Sequence, residues 1–253
     1  MNKTFCKKSN LINFLLAGCL ILFNIVFAGC GLDTFVELKE PSVNHEPIYS
    51  SIDVSENYFE FTTALNTYEG FLGTEVYYKI YNSTSKLTSE YSSINSAASS
   101  ETTSNQSANR LIETYTYQPL RHEGDEGANY LISDTTNAHK VKIRLSNYPG
   151  FDAEFAVDGT TYTVNNDDGT KRNLVPVRSI LKNPSFSFKE LSSEYLPKSG
   201  DNGDPDYGYT STTDEIKEYY VALFAVSVAQ DKTYARLYSK AVYLGSVTIS
   251  LED

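Results

Sequence analysis

The stretch from Tyr219 to Ala229, YYVALFAVSVA, is apolar at nearly every position. If it is a strand, both of its faces are apolar, and such a strand suits the middle of a sheet that is covered on both sides. A buried helix is the competing interpretation, because periodicity alone does not separate the two. The run therefore predicts a central strand, with the helix kept as the alternative.

Shorter segments of alternating polarity favour a β-rich fold around this run. They comprise Ile52 and Val54, followed by Phe59, Phe61, Thr63 and Leu65. The chain also contains 20 Tyr and 13 Phe, residue types that favour strands. These features indicate a mainly β domain.

Residues 71–81, FLGTEVYYKIY, show the same alternation over a greater length. One face of the predicted strand carries Val76, Tyr78 and Ile80. The opposite face carries Glu75, Tyr77, Lys79 and Tyr81. Because the second set is polar or amphipathic, the pattern predicts a half-buried strand with one face in water.

Residues 139–190 have the pattern of an antiparallel meander. Within FDAEFAVDGTTYTV, Asp158-Gly159 has the sequence of a two-residue hairpin turn, which pairs Val157 with Thr160. In the last strand the apolar residues have even numbers before Gly245 and odd numbers after it. This change predicts a β-bulge at that glycine.

One amphipathic helix is predicted over residues 86–98, with Ser85 as its cap. Its apolar residues at helical spacing are Leu87, Tyr91, Ile94 and Ala98. Residues 99–107 are polar and predict a loop, and a second helical turn is expected over 108–113. The helix is expected to cover one end of the sheet, and a partner-binding helix is the alternative.

The amino terminus combines a basic start with the apolar run 11–28. This is the pattern of a secretory signal, and the run is marginal for a spanning helix, which needs about 20 apolar residues. Its ending, Phe27-Ala28-Gly29-Cys30, resembles a bacterial lipobox, whose cysteine is acylated on sulfur and becomes the new first residue. Cys19 is a second candidate, but cleavage there leaves a hydrophobic terminus. An uncleaved anchor or a plain signal peptide is the further alternative.

The cysteine distribution supports lipidation at Cys30. Every cysteine lies at or before this position, so cleavage there leaves one sulfur and no disulfide. The resemblance implies two or three acyl chains, and several chains hold a protein stably because each buried methylene contributes about 0.8 kcal/mol. We therefore expect a signal peptide at 1–29, a lipidated tether at 30–46 and a single domain at 47–253.

Assembled, the elements predict an antiparallel β-sandwich, two sheets packed face to face. Residues 72–82 and 219–244 resemble the third, sixth and seventh strands of a fibronectin type III or immunoglobulin-like domain, with Tyr220 in the place of its corner tyrosine. The resemblance implies a core from 47–83 and 214–253, and a large insertion, 84–213, that carries one or two short helices and the meander.

Three segments are together similar to uncharacterised spirochaetal lipoproteins. They are the lipobox with Phe27, FLGTEVYYKIYN, and LYSKAVYLG. This resemblance implies a lipid anchor in a bacterial envelope, at the outer membrane or a periplasmic face. It implies no activity.

The charge of the exported part excludes some classes of function. Beyond position 29 the chain has 18 basic and 32 acidic residues, a formal charge of −14, so nucleic-acid binding is not expected. The sequence contains no GxSxG, HExxH or CxxC motif and no phosphate-binding glycine loop. We therefore expect a protein that is not an enzyme and has no cofactor besides its lipid.

Two acidic loops are candidates for metal chemistry. The loop HEGDEG gathers His122, Glu123, Asp125 and Glu126, with solvated charge as the alternative to a metal site. The loop DNGDPDYG offers calcium the carboxylates of Asp201, Asp204 and Asp206. Its spacing departs from the EF-hand pattern, so an ordinary surface loop is the alternative.

Tyrosine supplies the remaining candidates, because it offers rigid contact area and a hydroxyl to a partner. The selected residues are Tyr77, Tyr81, Tyr207 and Tyr209. A purely structural preference of Tyr for strands is the alternative. The expected function is a non-enzymatic binding or scaffolding module for an unknown protein or glycan. An envelope hydrolase or calcium-dependent adhesin that uses the acidic loops is the second hypothesis.

Overall fold

The computed structural model describes residues 37–48, 54–97, 104–122, 131–166, 168–179, 188, 196–200 and 203–250. The fold is mainly β, with antiparallel sheets and two helices. Glu37–Asp253 forms one compact unit, whereas the expected signal peptide and Cys30 lie outside the described residues. Among the residues described, no helix has the length and apolar character needed to cross a membrane.

Fifteen short and long strands and two helices make up the described chain. The strands are β1 Ser42–His45, β2 Phe59–Thr62, β3 Phe71–Tyr81, β4 Gln118–Pro119, β5 Arg121–His122, β6 Lys140–Arg144, β7 Glu154–Val157, β8 Thr160–Thr161, β9 Thr163–Asn165, β10 Lys171–Asn173, β11 Pro176–Val177, β12 Tyr207–Gly208, β13 Glu218–Gln230, β14 Arg236–Tyr238 and β15 Val242–Ser250. The helices are α1 Thr84–Ser96 and α2 Ser104–Asn109, and a π-helical turn, Arg110–Thr114, follows α2.

Five strands form a sheet that we call the outer sheet, in the order β1-β2-β6-β7-β8, with every neighbouring pair antiparallel. β1 lies in the segment expected to be a tether, so the folded unit begins before position 47. The hairpin turn is confirmed, because Asp158 and Gly159 have φ angles of +52° and +77°. Val157 pairs with Thr160 as predicted.

The first alternating segments are strands only in part. Phe59 and Phe61 lie in β2 and are fully buried, as predicted. Val54 lies outside the strands, Leu65 is 46% exposed, and Ile52 is outside the described residues. Pairing with β6 ends at Thr62, so the alternation in the sequence runs beyond the strand that it predicts.

A six-stranded sheet, the central sheet, is built around β13. This strand pairs antiparallel with β3 on one side and with β15 and β14 on the other. β4 and β12 lie on the far side of β3, and β12 pairs with it in parallel. The prediction of a central strand at β13 is confirmed, and the helix interpretation is wrong.

The bulge predicted at Gly245 is present in β15. Leu223 pairs with Gly245 and Phe224 pairs with Tyr243. The residue of β15 between Tyr243 and Gly245 therefore has no partner residue in β13. Gly245 has a φ of +112°, and an added Cβ would lie 2.7 Å from Pro47 Cδ. The change of apolar parity in the sequence marks this extra residue.

Two apolar clusters lie on opposite faces of the central sheet. The first joins Leu223 of β13 with Phe59 of the outer sheet. The second joins Phe224 of β13 with Leu87 and Ile94 of α1. Because burial of one large apolar side chain contributes about 1.5–3 kcal/mol, the apolar residues on both faces of β13 stabilise the packing against both clusters.

The face of β3 that was expected to meet water is covered. Its four side chains, Glu75, Tyr77, Lys79 and Tyr81, are all buried. The second cluster covers this face with α1, with Leu111 of the π-helical turn and with Tyr117. The prediction of a half-buried strand is wrong because this cover comes from other segments, which the alternation within β3 does not encode.

The helices differ from their predicted bounds. Ser83 caps α1 instead of Ser85, with its Oγ accepting from Lys86 N at 3.5 Å. α1 covers a face of the central sheet and not its end. α2 occupies part of the predicted polar loop 99–107, and the helical turn expected over 108–113 is confirmed by the π-helical turn.

Candidate ligand-binding cleft

Tyr77 and Tyr81, two of the expected binding tyrosines, belong to the second apolar cluster. The Tyr81 hydroxyl donates to Glu90 Oε2 at 2.7 Å and lies 2.7 Å from the Tyr117 hydroxyl. Lys79 Nζ donates to the same Glu90 oxygen at 3.0 Å. Burial raises the pKa of Tyr81 well above its usual range. Both tyrosine rings are therefore part of the protein interior. The expectation that they line a solvent-exposed face of β3 is wrong.

Tyr207 and Tyr209 lie at the far edge of the central sheet, in and just after β12. Their ring centroids are 5.7 Å apart, and the Tyr207 ring also packs against Tyr219 at 5.9 Å. Tyr209 is 36% exposed, whereas Tyr207 is half-buried. Of the four selected tyrosines, Tyr209 is therefore the most accessible to a partner.

Asp204 and Asp206 share a buried arginine. Arg178 Nε and Nη2 donate to the two oxygens of Asp206, each at 2.7 Å, and Nη2 lies 3.0 Å from Asp204 Oδ2. The Tyr78 hydroxyl donates to Asp206 at 2.7 Å. A calcium ion at these acids would have to compete with Arg178. Asp201 lies outside the described residues, and the calcium site stays a prediction.

The HEGDEG loop is described only at its first residue. His122 lies in β5, where it pairs with Pro176 of β11. The three acids of the loop, Glu123, Asp125 and Glu126, lie outside the described residues. The metal interpretation of this loop therefore also stays a prediction.

His139 directly precedes β6 of the outer sheet and lies between two carboxylates. Its Nδ1 is 2.7 Å from Asp158 Oδ2, and its Nε2 is 2.8 Å from Asp134 Oδ2. The acids occupy opposite nitrogens of the ring, so the three side chains do not converge on one point. Within the part of the chain that is described, no group of three or more His, Cys, Asp or Glu side chains could hold a metal ion.

An open cleft of about 410 Å³ lies on the face of the outer sheet that is turned away from the first apolar cluster. Along β6, Val141 and Ile143 belong to that cluster, so Lys142 and Arg144 point to the opposite face. β6 and β7 form the floor of the cleft, and residues 55–58 contribute one wall. The alternation of β6 thus supplies the basic side chains of the floor.

A tight turn brings Phe151 to the other wall of the cleft. Tyr148 N donates to Phe151 O at 2.7 Å, and Phe151 N donates to Tyr148 O at 2.9 Å. The sequence Pro149-Gly150 suits this turn, in which Gly150 has a φ of +80°. The Phe151 side chain is 39% exposed, so the turn holds an aromatic ring partly in solvent beside a polar floor.

Arg144 places a buried positive charge in the floor, with a side chain only 2% exposed. Its Cζ lies 4.8 Å from the ring centroid of Phe151 and 5.6 Å from that of Tyr58. Nη1 and Nη2 donate to the carbonyl oxygens of residues 54–55 at 3.2 and 3.1 Å. The Nε–H has no hydrogen-bond partner among the described residues, and Glu154 Oε1 lies 3.9 Å from Nε. This Nε is buried, so its unpaired N–H costs about 1–3 kcal/mol within the fold.

Lys142 and Glu154 form an ion pair across the floor, with 2.7 Å between Nζ and Oε1. Lys142 Nζ also lies 4.6 Å from the ring centroid of Tyr58, and Thr161 Oγ1 donates to Glu154 Oε2 at 3.2 Å. The cleft is lined further by Glu56, Asp152 and Asn173. Basic, acidic and amide side chains therefore line the same cleft, together with the rings of Tyr58 and Phe151.

Sequence reasoning missed this cleft, although part of its signal is visible. Lys140, Lys142 and Arg144 form a basic row at alternate positions in an acidic chain. The row by itself predicts only a solvated strand face. The ring of Phe151 reaches the row through the turn at 148–151, a contact that alternation does not encode.

Comparisons of the chain with protein-family models, with curated proteins and with solved structures found no match. The function therefore has to be inferred from the chemistry of the sites themselves.

Proposed function

We propose that the protein is a non-enzymatic binding module, held on a bacterial envelope membrane by lipid on Cys30, whose ligand enters the outer-sheet cleft. The observation that carries the proposal is the exposed ring of Phe151 beside the Lys142–Glu154 ion pair, which lines the same cleft. Ligand sites combine apolar surface with a few convergent polar groups. A ligand that covers the ring and forms hydrogen bonds with Lys142 and Glu154 makes both kinds of contact.

The lipid anchor is supported by the sequence. Phe27-Ala28-Gly29-Cys30 ends the apolar run, and no cysteine follows position 30. Mass spectrometry of the native protein's first peptide tests the anchor. We expect acylated Cys30 at the new terminus, whereas an unmodified Cys30 thiol or an intact leader would contradict it.

We further propose that the two large sheets form a β-sandwich related to fibronectin type III domains. Supporting features are the adjacency of β3, β13 and β15 and the apolar cluster that joins both sheets. Tyr220 departs from the corner tyrosine of that family, because its hydroxyl donates to Glu218 Oε2 at 3.1 Å and not to a backbone oxygen. The order of β3, β13 and β15 supports a relationship to fibronectin type III domains, whereas the hydrogen bond of Tyr220 does not support it.

Retention of a ligand from envelope extract tests the binding role of the cleft. The full chain, in a detergent without a sugar headgroup, is immobilised and exposed to the extract. We expect wild-type protein to retain a ligand that Phe151→Ala does not retain. Leu65→Ala is the matched control, because Leu65 is 46% exposed but does not line the cleft. Equal retention by both variants would contradict the proposal.

A second matched pair tests the polar floor. Lys142 and Lys140 both lie on β6, and each forms an ion pair with a glutamate of a neighbouring strand, Glu154 and Glu60 respectively. Only Lys142 lines the cleft. We expect Lys142→Ala to weaken retention and Lys140→Ala to leave it unchanged.

A further inference from the structure

We propose that the ligand of the outer-sheet cleft is a neutral saccharide of one or two sugar units. This inference rests on the proposed function and adds the chemical class of the ligand.

The charges around the cleft disfavour an ionic ligand. Lys142 and Arg144 are opposed by Glu56, Asp152 and Glu154. A phosphate or carboxylate ligand would meet three acids, and a cationic ligand would meet two bases, one of them buried. Because an unmatched charge is costly to remove from water, a neutral ligand fits this lining best.

The polar groups of the cleft suit hydroxyl groups. A hydroxyl both donates and accepts, so it can bridge a base and an acid. Lys142 Nζ and Glu154 Oε1, 2.7 Å apart, present such a pair on the floor. Asn173 adds an amide with both functions. A ligand with several adjacent hydroxyls matches this alternation of donors and acceptors.

Phe151 supplies the apolar contact that a sugar also needs. A sugar ring presents C–H groups on its faces and hydroxyls around its rim, so a face can pack on an aromatic ring while the rim makes hydrogen bonds. Phe151 packs against Arg144 and is still 39% exposed. The cleft volume of about 410 Å³ lies within the range of small-ligand pockets. These dimensions fit one or two sugar units.

Direct titration with defined sugars tests the ligand class. The full chain, in a polyoxyethylene detergent, is titrated with neutral mono- and disaccharides of glucose, galactose, mannose and N-acetylglucosamine. Inorganic phosphate and free lysine serve as charged probes, and binding is followed by calorimetry and by saturation-transfer NMR. We expect a neutral saccharide to bind wild-type protein and Leu65→Ala equally. Phe151→Ala should bind it about tenfold more weakly or worse while its NMR spectrum shows a folded protein.

Separate variants test the polar contacts that the saccharide is expected to make with Lys142 and Glu154. Lys142→Met and Glu154→Gln should each weaken saccharide binding, and Lys140→Met should not. If a saccharide bound wild-type and Phe151→Ala protein equally, its site would lie elsewhere and the inference would be overturned.

Failure of every neutral saccharide in the titration would also overturn the inference. If retention from envelope extract still required Phe151, the proposed function would stand and only the ligand class would be wrong. Competition of phosphate with the retained ligand would then indicate an anionic ligand, and competition of lysine would indicate a cationic one. If retention did not require Phe151 either, the proposed function would fail as well.

Discussion

Arg178 and Asp206 form a bidentate ion pair inside the protein, with Nε to Oδ2 and Nη2 to Oδ1 each at 2.7 Å. Their side chains are 1% and 0% exposed. Water does not solvate either charge, so each charge is stabilised by the opposite charge of its partner. The pair ties the segment before β12 to the residue that follows β11.

Removal of one member of this pair should destabilise the fold strongly. We expect Asp206→Ala to lower the free energy of unfolding by about 3–5 kcal/mol, because it removes the bidentate partner of a buried guanidinium and leaves Arg178 only the partly exposed Asp204. Asp204→Ala should cost less, since Asp204 is 19% exposed and makes a single contact with Arg178. Chemical denaturation of both variants measures the difference, and equal losses would contradict the assignment.

Calcium distinguishes the predicted metal site in the DNGDPDYG loop from its alternative, an ordinary surface loop, and the contacts of Arg178 favour the alternative. Arg178 pairs with both oxygens of Asp206 and with one oxygen of Asp204, so calcium would have to displace the guanidinium to bind there. We expect millimolar calcium to leave the melting temperature unchanged. A rise in wild-type protein that Asp201→Asn or Asp204→Asn removes would establish the calcium site instead.

The buried pair of Lys79 and Glu90 allows a double-mutant cycle. Burial lowers the pKa of Lys79, and Glu90 opposes that shift. Lys79→Met alone should cost about 3–5 kcal/mol in unfolding free energy, because the Glu90 charge stays buried. The double variant with Glu90→Gln should lose much less than the sum of the single losses. Additive losses, measured by denaturant titration, would show that the two groups are not coupled.

His139 should titrate above pH 6.5. Its hydrogen bonds with Asp158 and Asp134 raise its pKa from the ordinary value of 6.5. A raised pKa in the folded state means that protonated His139 stabilises the fold fully below the unfolded pKa. That contribution is lost as the pH rises through the folded pKa.

NMR titration of the His139 ring measures the folded pKa directly, and melting temperatures on either side of it report the stability. His139→Gln should abolish this part of the pH dependence. A ring that titrates at or below pH 6.5 would show that the two carboxylates do not act on it.

The features predicted correctly from the sequence are encoded locally. Two residues, Asp158 and Gly159, are sufficient for the hairpin turn, and one parity change is sufficient for the bulge at Gly245. The run in β13 is apolar at consecutive positions, which directly reflects cover on both faces. Each of these signals lies within the element that it predicts.

The errors arise where one segment covers another. Tyr81 has the pattern of a wet strand face, yet α1 and the segment up to Tyr117 bury it. Arg144 has the pattern of a solvated base, yet Phe151 and Tyr58 enclose it. Alternation reports which residues share a face, and it does not report what packs against that face. The candidate cleft could therefore not be derived from the sequence.

The most direct test of ligand binding in the cleft is the NMR signal of the Arg144 Nε–H. Full-length protein labelled with ¹⁵N is observed before and after addition of envelope extract, and the Nε–H of Arg236, an exposed residue of β14 outside the cleft, is the control. We predict that the Arg144 signal shifts on addition and that the Arg236 signal does not. An Arg144 signal that stays unchanged while extract components bind the protein would contradict a ligand site in the cleft.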